Sequence, residues 1–122
     1  MNLSASLHQA LASEVDSAPT VLAASGWLGD TPSTALPALY RAFGAPFEQA
    51  LAVAASVLGP PVLLMPSAGA RSPDWYPEAL RFASWRRGSD TFYVALVHHD
   101  RECPVAVEAG LVSDAAITDR SQ

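Results

Sequence analysis

The chain has no lysine, one cysteine (Cys103) and one isoleucine (Ile117). A lone cysteine cannot form an internal disulfide, so the fold does not rest on an oxidising compartment. Basic residues are scarce: seven, all arginine, stand against twelve Asp and Glu, for a net charge of −5. Neutralising phosphates requires a stripe of Lys and Arg that releases counterions. No such stripe exists here, which argues against a nucleic-acid partner and against an anionic membrane surface. No apolar run approaches the roughly 20 residues of a membrane span. Residues 1–11 lack the basic start and apolar run of a signal peptide, and the expected location is the cytoplasm.

Catalytic and metal signatures are missing as well. There is no Gly-x-Ser-x-Gly elbow, and Ala24-Ser25-Gly26 lacks both the first glycine and a strong preceding strand. No CxxC or HExxH occurs. His98, His99, Asp100, Glu102 and Cys103 fall within six positions. Adjacent histidines on a strand point to opposite faces, so they cannot hold one ion together. Cys103 precedes Pro104 at the start of a predicted strand, where a small half-buried side chain is the ordinary role. Asp74, Glu78, Asp90, Asp100 and Glu102 lie in predicted loops or turns and are read as solvated. The expectation is a non-enzymatic chain with no cofactor and no metal.

Against these absences stand 122 residues, half of them hydrophobic. That is material for one domain, residues 1–122, burying roughly 65% of its unfolded surface. Leu3, Leu7, Leu11 and Val15 recur at a spacing of four and predict a helix over 3–16, capped by Asn2 and closed before Pro19. Thr20–Ala24 reads equally as a short strand or a helical turn. A short helix follows, with Ser33 or Thr34 as N-cap, Leu36, Leu39, Tyr40 and Phe43 as its apolar face, and Gly44 as its stop. Phe47, Ala50, Leu51, Ala54, Val57 and Leu58 give the clearest helix, opened by Pro46 and stopped by Gly59-Pro60-Pro61.

The second half has strand periodicity. Val62–Met65 is a first short strand, and the Pro- and Ser-rich stretch 66–77 a long loop. Leu80–Arg87, Thr91–His99 and Pro104–Val112 predict three strands, the first two joined by a tight turn at Gly88-Ser89. The fold class is therefore α+β: two or three N-terminal helices (about 1–59) packed on a C-terminal antiparallel meander of three to four strands (about 62–112), with a polar tail over 113–122 that frays. Strict alternation puts Leu80, Phe82, Phe92, Val94, Leu96, Val105, Val107, Ala109 and Leu111 against the helices. It puts Arg81, Trp85, Arg87, Tyr93, Val97, His99 and Glu108 on the other face.

Trp, Tyr and Arg dominate protein interfaces. If that second face is open, Trp85, Arg87, Tyr93 and His99 form a recognition surface, rimmed by Asp90, Asp100 and Glu102. If a helix covers it, the same residues form a second core layer.

Leu58-Gly59-Pro60-Pro61, a proline-rich loop, Trp85-Arg86-Arg87-Gly88 and a Tyr-containing strand running into His98-His99-Asp100 together give a layout over 47–112. That layout resembles small bacterial immunity proteins of polymorphic-toxin systems. The resemblance implies a cytoplasmic protein that binds a cognate toxin and occludes it, with no membrane or nucleic-acid partner. An acidic secretion chaperone is the alternative. Oligomeric state separates the two, since a chaperone is expected to be a homodimer and an inhibitor a monomer.

Overall fold

A computed structural model describes residues 2–65 and 73–120. The loop predicted over 66–77 therefore lies mostly outside the described residues. The architecture is α+β, with helices in the first half of the chain and most strands in the second. The strands are β1 (Thr20–Ala24), β2 (Leu63–Met65), β3 (Ala79–Arg87), β4 (Asp90–Val97) and β5 (Ala106–Ser113). They form one antiparallel five-stranded sheet in the order β1-β5-β4-β3-β2. The expected meander of three to four strands gains Thr20–Ala24, which crosses from the helical half to pair with β5 and closes that edge.

Helices α1 (Leu3–Leu11), α2 (Leu36–Ala42) and α3 (Gly44–Leu58) lie on one side of the sheet. The Asn2 side chain caps α1 by accepting from the Ala5 amide. The helix ends at Leu11 and does not run to 16. Ser13 donates its hydroxyl to the Ala10 carbonyl, satisfying a terminal acceptor locally. Val15 is consequently exposed and plays no part in the stripe assigned to it. Ser33–Ala35 forms a 3-10 turn leading into α2 with no side-chain cap from Ser33 or Thr34. Gly44 opens α3 and does not stop α2, because Phe43 keeps a helical backbone between them. Gly59, at φ 86°, ends α3 as its sequence predicts.

The helix side of the sheet is the larger core. Leu7 and Ala10 from α1 and Phe47, Ala50 and Ala54 from α3 pack on Leu22, Phe92, Val94, Leu96, Val107 and Ala109. The predicted inner set of β4 and β5 is therefore correct. The inner set of β3 is not. Ala79 pairs with Val97 but Arg81 pairs with Leu96, so one extra residue enters the strand at Leu80. A β-bulge of this kind puts the alternation out of phase. Leu80 packs toward the helices as expected, but beyond it Arg81, Ala83, Trp85 and Arg87 also turn to the helix side, and Phe82 turns away.

Each misassigned residue has a definite role. Trp85 is 2% exposed, and its indole Nε1 donates to the Gly59 carbonyl at 2.8 Å, tying the end of α3 to β3. The Arg81 guanidinium sits 4.5 Å from the centre of the Phe47 ring and pairs with Glu48. Arg87 donates to the Leu11 carbonyl at 2.7 Å, a second stop for α1.

The tail also departs from expectation. Asp114–Arg120 is a helix, α4, whose start is capped by the Ser113 hydroxyl accepting from the Ala116 amide at 3.1 Å. Ser113 is itself held by Asp16, through its amide at 2.9 Å and its hydroxyl at 2.7 Å. These two bonds hold the Asp16 carboxyl below the usual carboxylate range. Ile117 of α4 packs on the side of the sheet away from α1 and α3. No helix among the described residues is long and apolar enough to cross a membrane.

Candidate functional site

The seven residues expected to recognise a partner do not share a surface. Trp85 and Arg87 belong to the helix side, as described. Tyr93 is on the opposite face but is 3% exposed. Asp90 opens β4, whereas Asp100 and Glu102 follow its far end, roughly 25 Å away for a strand of this length. The expectation of an open Trp85–Tyr93 face is thus overturned: Trp85 lies in the helix-side core, and of the two only Tyr93 lies in a second core layer. The cover comes from Trp75, Tyr76 and Ile117, however, and not from α1 or α2.

This outer layer is built from rings. Trp75, Tyr76, Phe82 and Tyr93 pack with centroids 5.1–5.9 Å apart, Phe82 and Tyr93 stacked and Trp75 edge-on to its neighbours. Room for Tyr93 comes from its cross-strand partner, Gly110. A Cβ at Gly110 would lie 2.8–3.0 Å from the Tyr93 ring and hydroxyl. Burial first, then the charge of Glu108, raises the Tyr93 phenol to about 12. Burial, then Tyr93 and Glu108, raises that of Tyr76 further. Both hydroxyls therefore keep their protons at neutral pH.

Beside the rings lies a charged group that alternation placed correctly on this face but that gave no motif. Glu108 is 6% exposed and takes a 2.7 Å hydrogen bond from His99 Nε2. His99 Nδ1 faces Glu78 at 3.8 Å. The two histidines do separate as strand geometry requires: His98 turns to the helix side, where its Nδ1 is 2.7 Å from the Tyr40 hydroxyl. Among the described residues no cluster of His, Cys, Asp and Glu could hold a metal ion. Tyr76, Tyr93, His99, Glu108 and Arg120 line a cavity of about 420 Å³ on this face.

A second candidate lies at the end of the sheet where β4 leads into β5, and it includes two of the predicted acidic residues. Trp27 is 67% exposed, the one aromatic side chain among the described residues that lies open to water. Its indole leans on Gly29, where a Cβ would approach it to 3.3 Å. The segment carrying it is pinned to the β4–β5 loop. Leu28 donates its amide to the Glu102 carbonyl at 2.9 Å, Arg101 bonds the Thr31 carbonyl, and Ser25 and Val105 exchange two bonds. On one side of the indole is an open cleft of about 660 Å³ with Asp30, Thr31 and Glu102. On the other is a groove of about 490 Å³ lined by Ala35, Ala38, Leu39 and Ala42. Asp100 caps the turn, accepting from the Arg101 amide at 2.6 Å. The sequence marked Trp27 only by its flanking glycines, Gly26 and Gly29. No family model, no curated protein and no solved structure matches this chain.

Proposed function

We propose that the chain is a non-enzymatic protein-binding module of the immunity or antitoxin kind, which occludes a cognate bacterial toxin with its Trp27 end. The observation that carries this reading is the exposed Trp27. Leaving an indole in water is unfavourable, and interface hot spots are enriched in Trp. Here the ring is backed by Gly29 and its loop is anchored by hydrogen bonds, so little ordering entropy remains to be lost on binding. Asp30 and Glu102 give the cleft a negative sign, in keeping with the net charge of −5. Such a surface complements a basic partner, and a toxin that acts on a polyanion has a basic active site to cover. The layout shared with immunity proteins supports the same reading.

The test is a capture experiment with a functional arm. Wild type, Trp27→Ala and Glu102→Arg are immobilised and exposed to host lysate, and captured proteins are expressed in a test host. The expected result is a toxic protein whose growth arrest wild type relieves, with Trp27→Ala binding it about 30-fold more weakly, some 2 kcal/mol. Equal binding by all three, or a captured protein that is not toxic, overturns the proposal.

A second reading, an acidic secretion chaperone, draws on the other edge of the sheet. Val62, Leu63 and Leu64 at β2 are exposed apolar residues on a strand that, among the described residues, forms an edge of the sheet. Light scattering separates the two: a stable homodimer favours the chaperone, a monomer the inhibitor.

A further inference from the structure

The cavity beside Glu108 is not needed for the Trp27 reading, and its chemistry points elsewhere. Its floor is a carboxylate almost wholly removed from water. Burying a carboxylate is costly unless hydrogen bonds and an opposite charge compensate it. His99 supplies one bond, to Oε1, whereas an ionised carboxylate has about four acceptor positions. The residues around it on the sheet are small or aromatic. Ala95 lies across from it on β4, and Gly110, two residues along β5, is occupied by the ring of Tyr93. Tyr93, Tyr76 and Trp75 line the cavity, together with Ser17, Pro19 and Arg120. The volume, about 420 Å³, is at the lower end of ligand sites.

We propose that this cavity binds a small organic amine in its ammonium form, whose N–H groups donate to the Glu108 carboxylate and whose apolar body lies along Tyr93, Tyr76 and Trp75. The lining favours a cation over an anion: it holds two carboxylates, Glu108 and Glu78, against one guanidinium, the exposed Arg120, with the imidazole of His99 as its other titratable group. The aromatic wall adds attraction for a cation and area for its hydrocarbon. A primary ammonium fits better than a quaternary one, because the buried acceptor asks for N–H donors. One ring or a short chain fills the volume.

Benzylammonium is the probe, titrated calorimetrically at neutral pH, with benzyl alcohol as the neutral match in shape, benzoate as the opposite charge and tetramethylammonium as charge without donors. Benzylammonium should bind saturably and each of the other three at least about tenfold more weakly. Glu108→Gln, which keeps the shape and can still accept from His99, should weaken benzylammonium about tenfold or more. Trp27→Ala should leave it unchanged, which separates this site from the proposed partner surface. A direct readout on the wild type does not depend on any variant folding: benzylammonium should shift the ring-proton NMR signals of His99 and leave those of His8 in place. No saturable binding, equal binding of benzyl alcohol, tighter binding of benzoate, unchanged affinity in a folded Glu108→Gln variant, or an unmoved His99 overturns the proposal.

Discussion

Both faces of this sheet are dry, but they are kept dry by different chemistry. The helix side is covered by α1 and α3 with aliphatic residues, and most of its polar groups serve to tie elements together: Trp85 to Gly59, Arg87 to Leu11, Arg81 to Glu48. Among the described residues, the outer side is covered by one short segment, Trp75–Tyr76, and one helix, α4. It holds four packed rings, a buried carboxylate and a cavity. Regular helices fill space with hydrocarbon and leave little to react or bind. Irregular cover over a few large side chains leaves gaps, and the polar atoms of Tyr, His and Glu meet in them. A buried layer with titratable groups in it is the place to look for ligands.

The sharpest way to break this contrast is at Trp85. Trp85→Ala removes the largest buried side chain and its bond to α3, and should lower stability by about 3–5 kcal/mol in chemical denaturation. A loss below about 1 kcal/mol would return Trp85 to the surface. Gly110→Ala probes the other face. The added methyl must displace Tyr93, at a cost of about 1–3 kcal/mol. In a folded variant it should change Trp75 emission and His99 NMR signals while leaving helix-side methyl signals in place.

The pH dependence divides the same way. Tyr93 is held to about 12, above its usual 10.0. A phenol that keeps its proton longer when folded stabilises the fold below 10.0 and loses that contribution as the pH rises through 12. A spectrophotometric titration should find Tyr76 and Tyr93 ionising only with alkaline unfolding, and Tyr93→Phe should blunt that transition. At the acid end, Asp16 and Asp114 are held below 3.8, by Ser113 and Arg86 respectively. Depressed carboxyls stabilise above 3.8, and the contribution fades as the pH falls below it. Both groups are solvent-exposed, so this is the smallest effect. It should show as a drop in Tm toward pH 3 that Asp16→Asn reduces.

Much of this layout was legible from residue order. Helical spacing located α3, Gly59 stopped it, Gly88 turned the β3–β4 hairpin, and period-two alternation assigned β4 and β5 to their faces. What was hidden had local causes. One extra residue at Leu80 reversed the rest of β3, and a bulge leaves no mark in hydrophobic pattern. Thr20–Ala24 was ambiguous because its status as a strand depends on β5, eighty-odd residues away. The polar tail became a helix because Asp16 positions Ser113 as its cap, a contact across 97 residues. The candidate sites were less legible still. Tyr93 and His99 were marked, and alternation put Glu108 on their face, but no motif singled it out; Tyr76 needed the loop, and Trp27 needed to be seen without cover.

The three tryptophans divide into one in water, one at the edge of the outer layer and one in the core. Acrylamide quenching of emission in wild type and Trp27→Phe tests this division directly. Removing Trp27 should take away the readily quenched, red-shifted part of the signal and leave a blue-shifted, protected remainder from Trp75 and Trp85. An emission that stays red-shifted and freely quenched after Trp27 is gone would contradict it.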